Sequence, residues 1–404
     1  GRRPRPDPPA GTRPTPARPP APGSAARRVA VDALARIDET AAFANLVLPG
    51  LLEASSLARR DRAFVTDLVY GSLRRRRACD WLIDRWLLRP VEPHVRAALR
   101  LGAYQLAFLG TPPHAAVDAT VAAVSGPGQS LVNAVLRRVA AELGEAGGVD
   151  ALAWPSPAVL LSYPDWIVSR LSEDLGEAAA LDALAAMNDP GPPAVRPDGY
   201  VQGLASQAVV ELCEPAPGMR AVELCAAPGG KATLLAERGC TVAALDVAPG
   251  RAGLIAANVN RLGASGAVWP VVSDGRRPAV RPGRFDLVLV DAPCSGLGVL
   301  GRRADARWRL DADAPERLAV LQGDLVRAAV DLLAPGGLLV YSACTLTAVE
   351  TLGVDAALAA AAPALEPLAL PPPPWRPWGR GGLLLPAAGG DGMAVLRLRR
   401  PPEP

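Results

Sequence analysis

The 404-residue chain is predicted to be an α+β multidomain protein: an all-α bundle followed by a doubly wound α/β domain. Three observations predict this. No alternating strand pattern occurs before about residue 145, while apolar residues recur there at helix spacing. From about residue 219, short β-branched apolar runs alternate with amphipathic helical stretches, as a largely parallel sheet covered on both faces requires. A glycine-rich turn ending in Gly229-Gly-Lys231 joins the first of those runs to the first helix after it.

In chain order, residues 1–24 alternate Pro and Arg with almost nothing apolar, and a disordered basic tail is expected. Residues 25–145 are expected to form the bundle. Val29, Ala33, Leu34 and Ile37 follow a candidate Ser24 cap; Phe64, Val65, Leu68 and Val69 repeat the spacing; Pro49-Gly50, Arg89-Pro90 and Pro112-Pro113 break it. Residues 146–195 read as a helical connector, and residues 196–404 as the α/β domain. Strands are expected over 221–224, 241–245, 267–272, 287–290 and 338–341, with helices over 251–262 and 316–333 between them. A last, antiparallel edge strand is expected over 393–398.

Composition excludes several classes. Cys79, Cys213, Cys225, Cys240, Cys294 and Cys344 show no Cys-x-x-Cys spacing, and His94 and His114 are the only histidines, so neither a metal site nor a disulfide framework is expected. No apolar run approaches the roughly 18 residues of a membrane span, and the N-terminus lacks a hydrophobic signal core. A cytoplasmic protein without membrane contact is expected, as a monomer. Residues 25–145 carry 16 basic against 12 acidic side chains and residues 146–404 carry 22 against 27, an asymmetry that suits a polyanion on the N-terminal side. Lysine occurs once, at Lys231 inside the glycine turn.

The run 287–290 reads as a strand buried on both faces, which places Asp291, Pro293 and Cys294 at its carboxyl end, the edge where open α/β sheets bind ligands. Cys344 follows the next strand, at the same edge. Asp246 ends the second strand, where a carboxylate can accept both hydroxyls of a ribose, and Asp274 follows the third, placed for an adenine edge. Neither the triphosphate loop pattern nor Gly-x-Gly-x-x-Gly is present. The remaining reading is a nucleoside cofactor without a large phosphate, of which S-adenosylmethionine is the common one.

Two resemblances sharpen this. Arg60-Asp-Arg-Ala-Phe64, Leu68-Val-Tyr-Gly71, Leu99-Arg-Leu-Gly-Ala-Tyr-Gln105, Pro112-Pro-His-Ala-Ala-Val117 and Leu131-Val-Asn-Ala-Val-Leu-Arg-Arg138 resemble the NusB-like RNA-binding domain of bacterial Sun/Fmu-type ribosomal RNA methyltransferases. Ala226-Ala-Pro-Gly-Gly-Lys231, Asp291-Ala-Pro-Cys-Ser295 and Tyr341-Ser-Ala-Cys-Thr345 resemble the Nol/Nop/Sun family of RNA cytosine-C5 methyltransferases, whose catalytic domain is a Rossmann-like class I methyltransferase. By position, the resemblance implies that Cys225, Ala226, Ala227, Pro228, Gly229, Gly230, Lys231, Asp246, Arg251 and Asp274 line S-adenosylmethionine, with Asp291 at its border with the base. It implies Cys344 as the nucleophile, Cys294 as the group assisting release, Asp291 as the residue polarising the base and Lys231 as a source of positive potential. Beside this, Arg302, Arg303 and Arg307 on the loop after Cys294 could hold phosphates flanking the target and Trp308 could stack or anchor the loop, and Arg137 and Arg138 are the candidate RNA contacts on the bundle. The implied partner is small-subunit ribosomal RNA.

The chain departs from the family pattern at Ala343, where Thr is usual, at Thr351, where Asn is usual, and at Met393, where Phe is usual. Near Val195 a family subdomain of several dozen residues is shortened. A DNA cytosine methyltransferase is expected to lack both Cys344 and the N-terminal domain. A NusB-like RNA-binding factor with a weak methyltransferase domain is the alternative from a different class.

Overall fold

The computed structural model describes residues 23–387 and 389–403. The tail expected over 1–24 lies outside them except for its last two residues. Gly23, at φ 76°, precedes the first helix, and Ser24 is its first residue, buried, with no side-chain cap bond. The expected Ser24 cap is therefore a glycine turn. The described chain divides into two compact units.

The first unit contains Cys79–Leu152 and the residues up to Ser72, and is helical throughout. Its helices are α1 (Ser24–Thr40), α2 (Ala44–Ala54), α3 (Arg59–Arg74), α4 (Arg76–Asp84), α5 (Pro93–Ala107), α6 (Pro113–Val121) and α7 (Gly128–Ala146). Of the apolar stripe read from sequence, Ala33, Leu34, Ile37, Val65, Leu68 and Val69 are buried and Val29 and Phe64 half-buried; Val31, Leu99, Leu101 and Leu136 join them in the core. α5 packs on both α1 and α7. A Cβ on Gly102 would stand 2.3 Å from Leu136, so the α5–α7 approach depends on that glycine. Arg100 donates to both carboxylate oxygens of Asp80 (2.7 and 2.9 Å) and to Asp38, so part of the unit's basic charge is neutralised internally.

The second unit contains Leu73–Ala78 and the chain from Ala153 onward. Its helices are α8 (Pro157–Leu161), α9 (Asp165–Leu175), α10 (Glu177–Ala186), α11 (Leu204–Leu212), α12 (Gly230–Glu237), α13 (Pro249–Arg261), α14 (Ala314–Leu332) and α15 (Leu352–Ala361). Its strands are β1 (Arg220–Leu224), β2 (Thr241–Asp246), β3 (Val268–Val272), β4 (Phe285–Asp291), β5 (Leu333–Ala343), β6 (Glu366–Pro367), β7 (Arg376–Trp378), β8 (Gly381–Leu384) and β9 (Met393–Arg399). They form one sheet in the order β3-β2-β1-β4-β5-β9-β8-β7, with β6 also on β9. β3 to β5 pair in parallel and β9, β8 and β7 antiparallel. Alternation sends Leu287 and Leu289 into one core layer and Val288 and Val290 into the other, which is why this run is apolar at every position.

Three expectations change. β9 is antiparallel but not an edge strand, because β8 pairs with its outer side. β8 was illegible because it is short and opens on Gly381-Gly382; a Cβ on Gly381 would stand 2.1 Å from the Val395 carbonyl. The connector expected over 146–195 is a packed cap: Tyr163, Ile167, Leu171, Leu184 and Met187 share a core with Leu297, Leu300 and Leu346 from the loops after β4 and β5. The shortened segment is a tight turn in which Val195 bridges Val201 and Arg196 N donates to Tyr200 O (2.8 Å).

Candidate active site

The parallel strands end in register. Leu224 pairs with Leu245 and Val290, and Val290 with Tyr341, so Cys225, Asp246, Asp291 and Ser342 share one edge of the sheet.

At that edge Cys225 adopts φ 61° and Gly229 φ 98°, turning the chain from β1 into α12. A Cβ on Gly230 would stand 2.9 Å from the Tyr200 ring, and one on Gly229 3.2 Å from Ile255. Arg196, buried in the shortened turn, donates to Gly230 O (2.9 Å) and Thr233 Oγ1 (3.2 Å), and so holds the start of α12 from outside the motif. Asp246 is 3 % exposed. It accepts from Ala227 N (3.3 Å), Ala248 N (3.2 Å) and Arg251 Nε (3.1 Å). Val247, 64 % exposed, gives the edge an apolar surface that sequence reading missed. Asp274 folds back onto Arg276, accepting from its Nη2 (2.7 Å) and backbone N (2.9 Å); that ion pair holds its carboxyl below the usual range. A cavity of about 930 Å³ opens beside it, lined also by Arg277, Asp324 and Arg327; its lining includes neither Cys294 nor Cys344.

The structure brings Lys231, Asp291, Cys294 and Cys344 together. Lys231 Nζ lies 2.6 Å from Asp291 Oδ2, and Ser342 Oγ donates to Asp291 Oδ1 (3.0 Å). Burial works against the Lys231 charge, but Asp291 and Glu223 outweigh it and raise its pKa. Glu223, weighed from sequence only as a cap, is 1 % exposed, and its Oε2 makes no hydrogen bond. Burial first, and then the Asp291 charge, push its carboxyl up to about 8 against the pull of Lys231, so it carries a proton at neutral pH.

Cys294 Sγ and Cys344 Sγ are 3.2 Å apart, and the two thiols differ electrostatically. The hydrogen bond from Cys294 lowers the Cys344 pKa against burial, with Arg303 and Lys231 adding to the effect. The same bond, burial and the charges of Cys344 and Glu350 raise that of Cys294. Within the pair the negative charge is thus favoured at Cys344 over Cys294. Cys225, by contrast, is pushed up to about 12 by burial and the nearby Asp246 and Asp291, while Cys79, Cys213 and Cys240 are buried away from this edge.

The candidate RNA contacts separate. Arg303 and, on α7, Arg137 and Arg138 are exposed. Arg302 is held by Asp391 (3.0 Å) and Gly389 O (3.0 Å). The expected phosphate role of Arg307 is corrected: it is fully buried, and its guanidinium donates to Arg74 O, Ser162 O, Asn188 Oδ1 and Leu300 O at 2.9–3.2 Å. Trp308 is likewise an anchor, its Nε1 donating to Leu73 O (2.8 Å). Arg75 and Arg77 also bond within this unit, donating to Leu160 O and to Asp165.

Comparison with known proteins agrees with this site. Residues 210–373 match the model of the 16S rRNA methyltransferase RsmB/F family, and residues 24–141 that of the NusB family. The chain is 36 % identical to the ribosomal RNA small subunit methyltransferase B of Thermus thermophilus, over 93 % of this chain and 97 % of that one. It is 32 % identical to the protein of the same name from Yersinia enterocolitica, over 79 % and 86 %. The solved structure of PH0851 shares the fold, with a TM-score of 0.72 at 21 % identity over 93 % of this chain and 99 % of that one. A methyltransferase sheet with two thiols at its ligand edge, a helical N-terminal unit and these full-length likenesses lead to one conclusion: the chain belongs to the RsmB/F family of 16S ribosomal RNA methyltransferases.

Proposed function

We propose that this S-adenosylmethionine-dependent methyltransferase transfers a methyl group to carbon 5 of a cytidine in small-subunit ribosomal RNA, through a covalent bond between Cys344 and the base. The carrying observation is the thiol pair, 3.2 Å apart and unequal in charge, beside the Lys231–Asp291 ion pair.

The residues at the edge fit the cofactor: the Gly229-Gly230 turn carries no side chain and packs on Ile255 and Tyr200, the Asp246 carboxylate suits ribose hydroxyls, Val247 suits an adenine face, and Glu223 keeps an unpartnered oxygen nearby. S-adenosylmethionine supplies an electrophilic methyl on a sulfonium. The protein's task is to make carbon 5 nucleophilic. The Cys344 thiolate adds to carbon 6, and the electron pair of the 5,6 double bond passes into the ring as an enamine whose carbon 5 attacks. Asp291, protonated transiently, would donate to the ring nitrogen and accept from the exocyclic amine, and the charge of Lys231 favours electron flow toward that side of the ring. After transfer the carbon 5 proton leaves to a base and Cys344 is expelled as thiolate, with Cys294 assisting that release. A cytosine in a helix must be extruded to reach this edge; exposed Arg303, Arg137 and Arg138 are the candidate phosphate contacts.

Tritiated S-adenosylmethionine and ribosomal RNA from cells lacking the gene test this. The wild-type chain is expected to label cytosine, Cys344→Ala to label nothing, and Cys294→Ala to accumulate an enzyme-RNA adduct on a denaturing gel. Label on another base, or an adduct trapped by Cys344→Ala instead, overturns the assignment.

A further inference from the structure

Glu350 lies beyond every motif used above, yet it is fully buried and accepts five hydrogen bonds. Its Oε1 accepts from Ser295 N (2.7 Å) and from Gln322 Nε2 (3.0 Å). Its Oε2 accepts from Ser295 Oγ (2.5 Å), Thr345 Oγ1 (2.9 Å) and Thr347 Oγ1 (2.8 Å). Ser295 follows Cys294 and Thr345 follows Cys344. Gln322, on α14, also donates to Pro293 O (2.9 Å), and Tyr341 OH donates to the Glu350 backbone oxygen (2.7 Å). One carboxylate thus ties together the two loops that carry the two sulfurs. An ionised carboxylate accepts only, and all five partners can donate, so the site is built for an anion.

We propose that Glu350 is a positioning residue for methyl transfer: its buried carboxylate clamps the Cys294 loop to the Cys344 loop and supplies the fixed negative charge that makes the two sulfurs unequal. The proposal rests on the thiol reading above. A thiolate on either cysteine would satisfy the pair's hydrogen bond, so the choice between them is made by the surroundings. Lys231 from α12 and Arg303 favour the anion at Cys344, Asp291 from β4 opposes it, and Glu350 opposes an anion at Cys294. Tyr341, the remaining titratable neighbour, has its pKa raised well above its usual value by burial and stays neutral. Glu350 therefore adds to the Cys344 bond and burial in disfavouring an anion at Cys294.

Glu350→Gln in the full-length chain tests this, since an amide keeps the shape but sets its own NH₂ against donors. With ribosomal RNA as substrate, kcat should fall about tenfold or more while KM for S-adenosylmethionine stays unchanged, the usual scale for a supporting group beside reacting ones. A second readout needs no substrate. In a Cys344→Ser background, the pH profile of Cys294 alkylation by iodoacetamide, read by peptide mass spectrometry, should move to lower pH when Glu350 is replaced by Gln. An unmoved alkylation profile, or kcat within about twofold of wild type on the same scale, overturns the proposal. Ser295→Ala removes the hydroxyl bond of the clamp but keeps the backbone bond and the charge, so it should lower kcat without moving the alkylation profile. If Glu350→Gln fails to fold, Ser295→Ala decides: a lowered kcat at constant cofactor KM supports the clamp, and an unchanged kcat overturns it. If wild type labels no cytosine, the reaction reading fails, and the alkylation profile still decides the charge effect.

Discussion

Lys231, the single lysine, sits 7 % exposed at its side chain against Asp291 and beside Glu223. Three ionisable groups in so little solvent cannot all be charged cheaply, and Glu223 yields by keeping its proton. This has a pH signature. A carboxyl at about 8 in the folded chain, against an ordinary 4.5, binds a proton that the unfolded chain has already released between those values. Its contribution to stability therefore falls as pH rises through that window. Glu223→Gln should match wild type in unfolding free energy, from denaturant titration, near the lower limit and exceed it progressively toward pH 8, by roughly 4 kcal/mol; equal gains at both ends would refute this. Asp291, Cys294 and Cys344 were legible in the sequence because each follows an apolar run that can only be a buried strand, and parallel strand ends share an edge. Glu350 was not, because Ser295 and Gln322 reach it from distant parts of the chain and no local pattern records such a contact.

At the scale of elements, the loop after Cys294 read as a phosphate-binding stretch because arginine is so seldom buried. The fold buries Arg307 by surrounding it with carbonyls freed at chain turns, including Ser162, whose φ of 63° ends α8. Arg307→Met would strand Arg74 O, Ser162 O and Leu300 O without a donor. It should cost roughly 3 kcal/mol in chemical denaturation while leaving ribosomal RNA affinity of the folded fraction unchanged; lost affinity at unchanged stability would return Arg307 to the RNA surface. The cap of α8 to α10 was read as a connector for a related reason. What its Ile167, Leu171 and Leu184 pack against, Leu297, Leu300 and Leu346, lies more than a hundred residues away in the sequence. Packing there supports both thiol loops from behind, a role periodicity alone cannot announce.

At the scale of the whole molecule, the alternation of strand and helix made the parallel half of the sheet legible and left the antiparallel half largely hidden. β6, β7 and β8 have two, three and four residues, too few for a period to emerge, and they are rich in Pro and Gly. β9 was visible as a strand, and its neighbours were not. Its interior position sets the order in which the sheet can be finished during synthesis. The strand that joins β5 to the β7–β8 hairpin follows all the other described strands in the chain, so until Met393–Arg399 leaves the ribosome, β5 presents Leu338–Ala343 as an open, apolar edge. Such an edge recruits other strands. A chain ending after Gly392 should therefore sediment as aggregate on ultracentrifugation and bind no S-adenosylmethionine by calorimetry, whereas a strand that was a mere edge addition could be lost with both properties intact. A chain cut before β9 would thus expose β5 to aggregation and proteolysis.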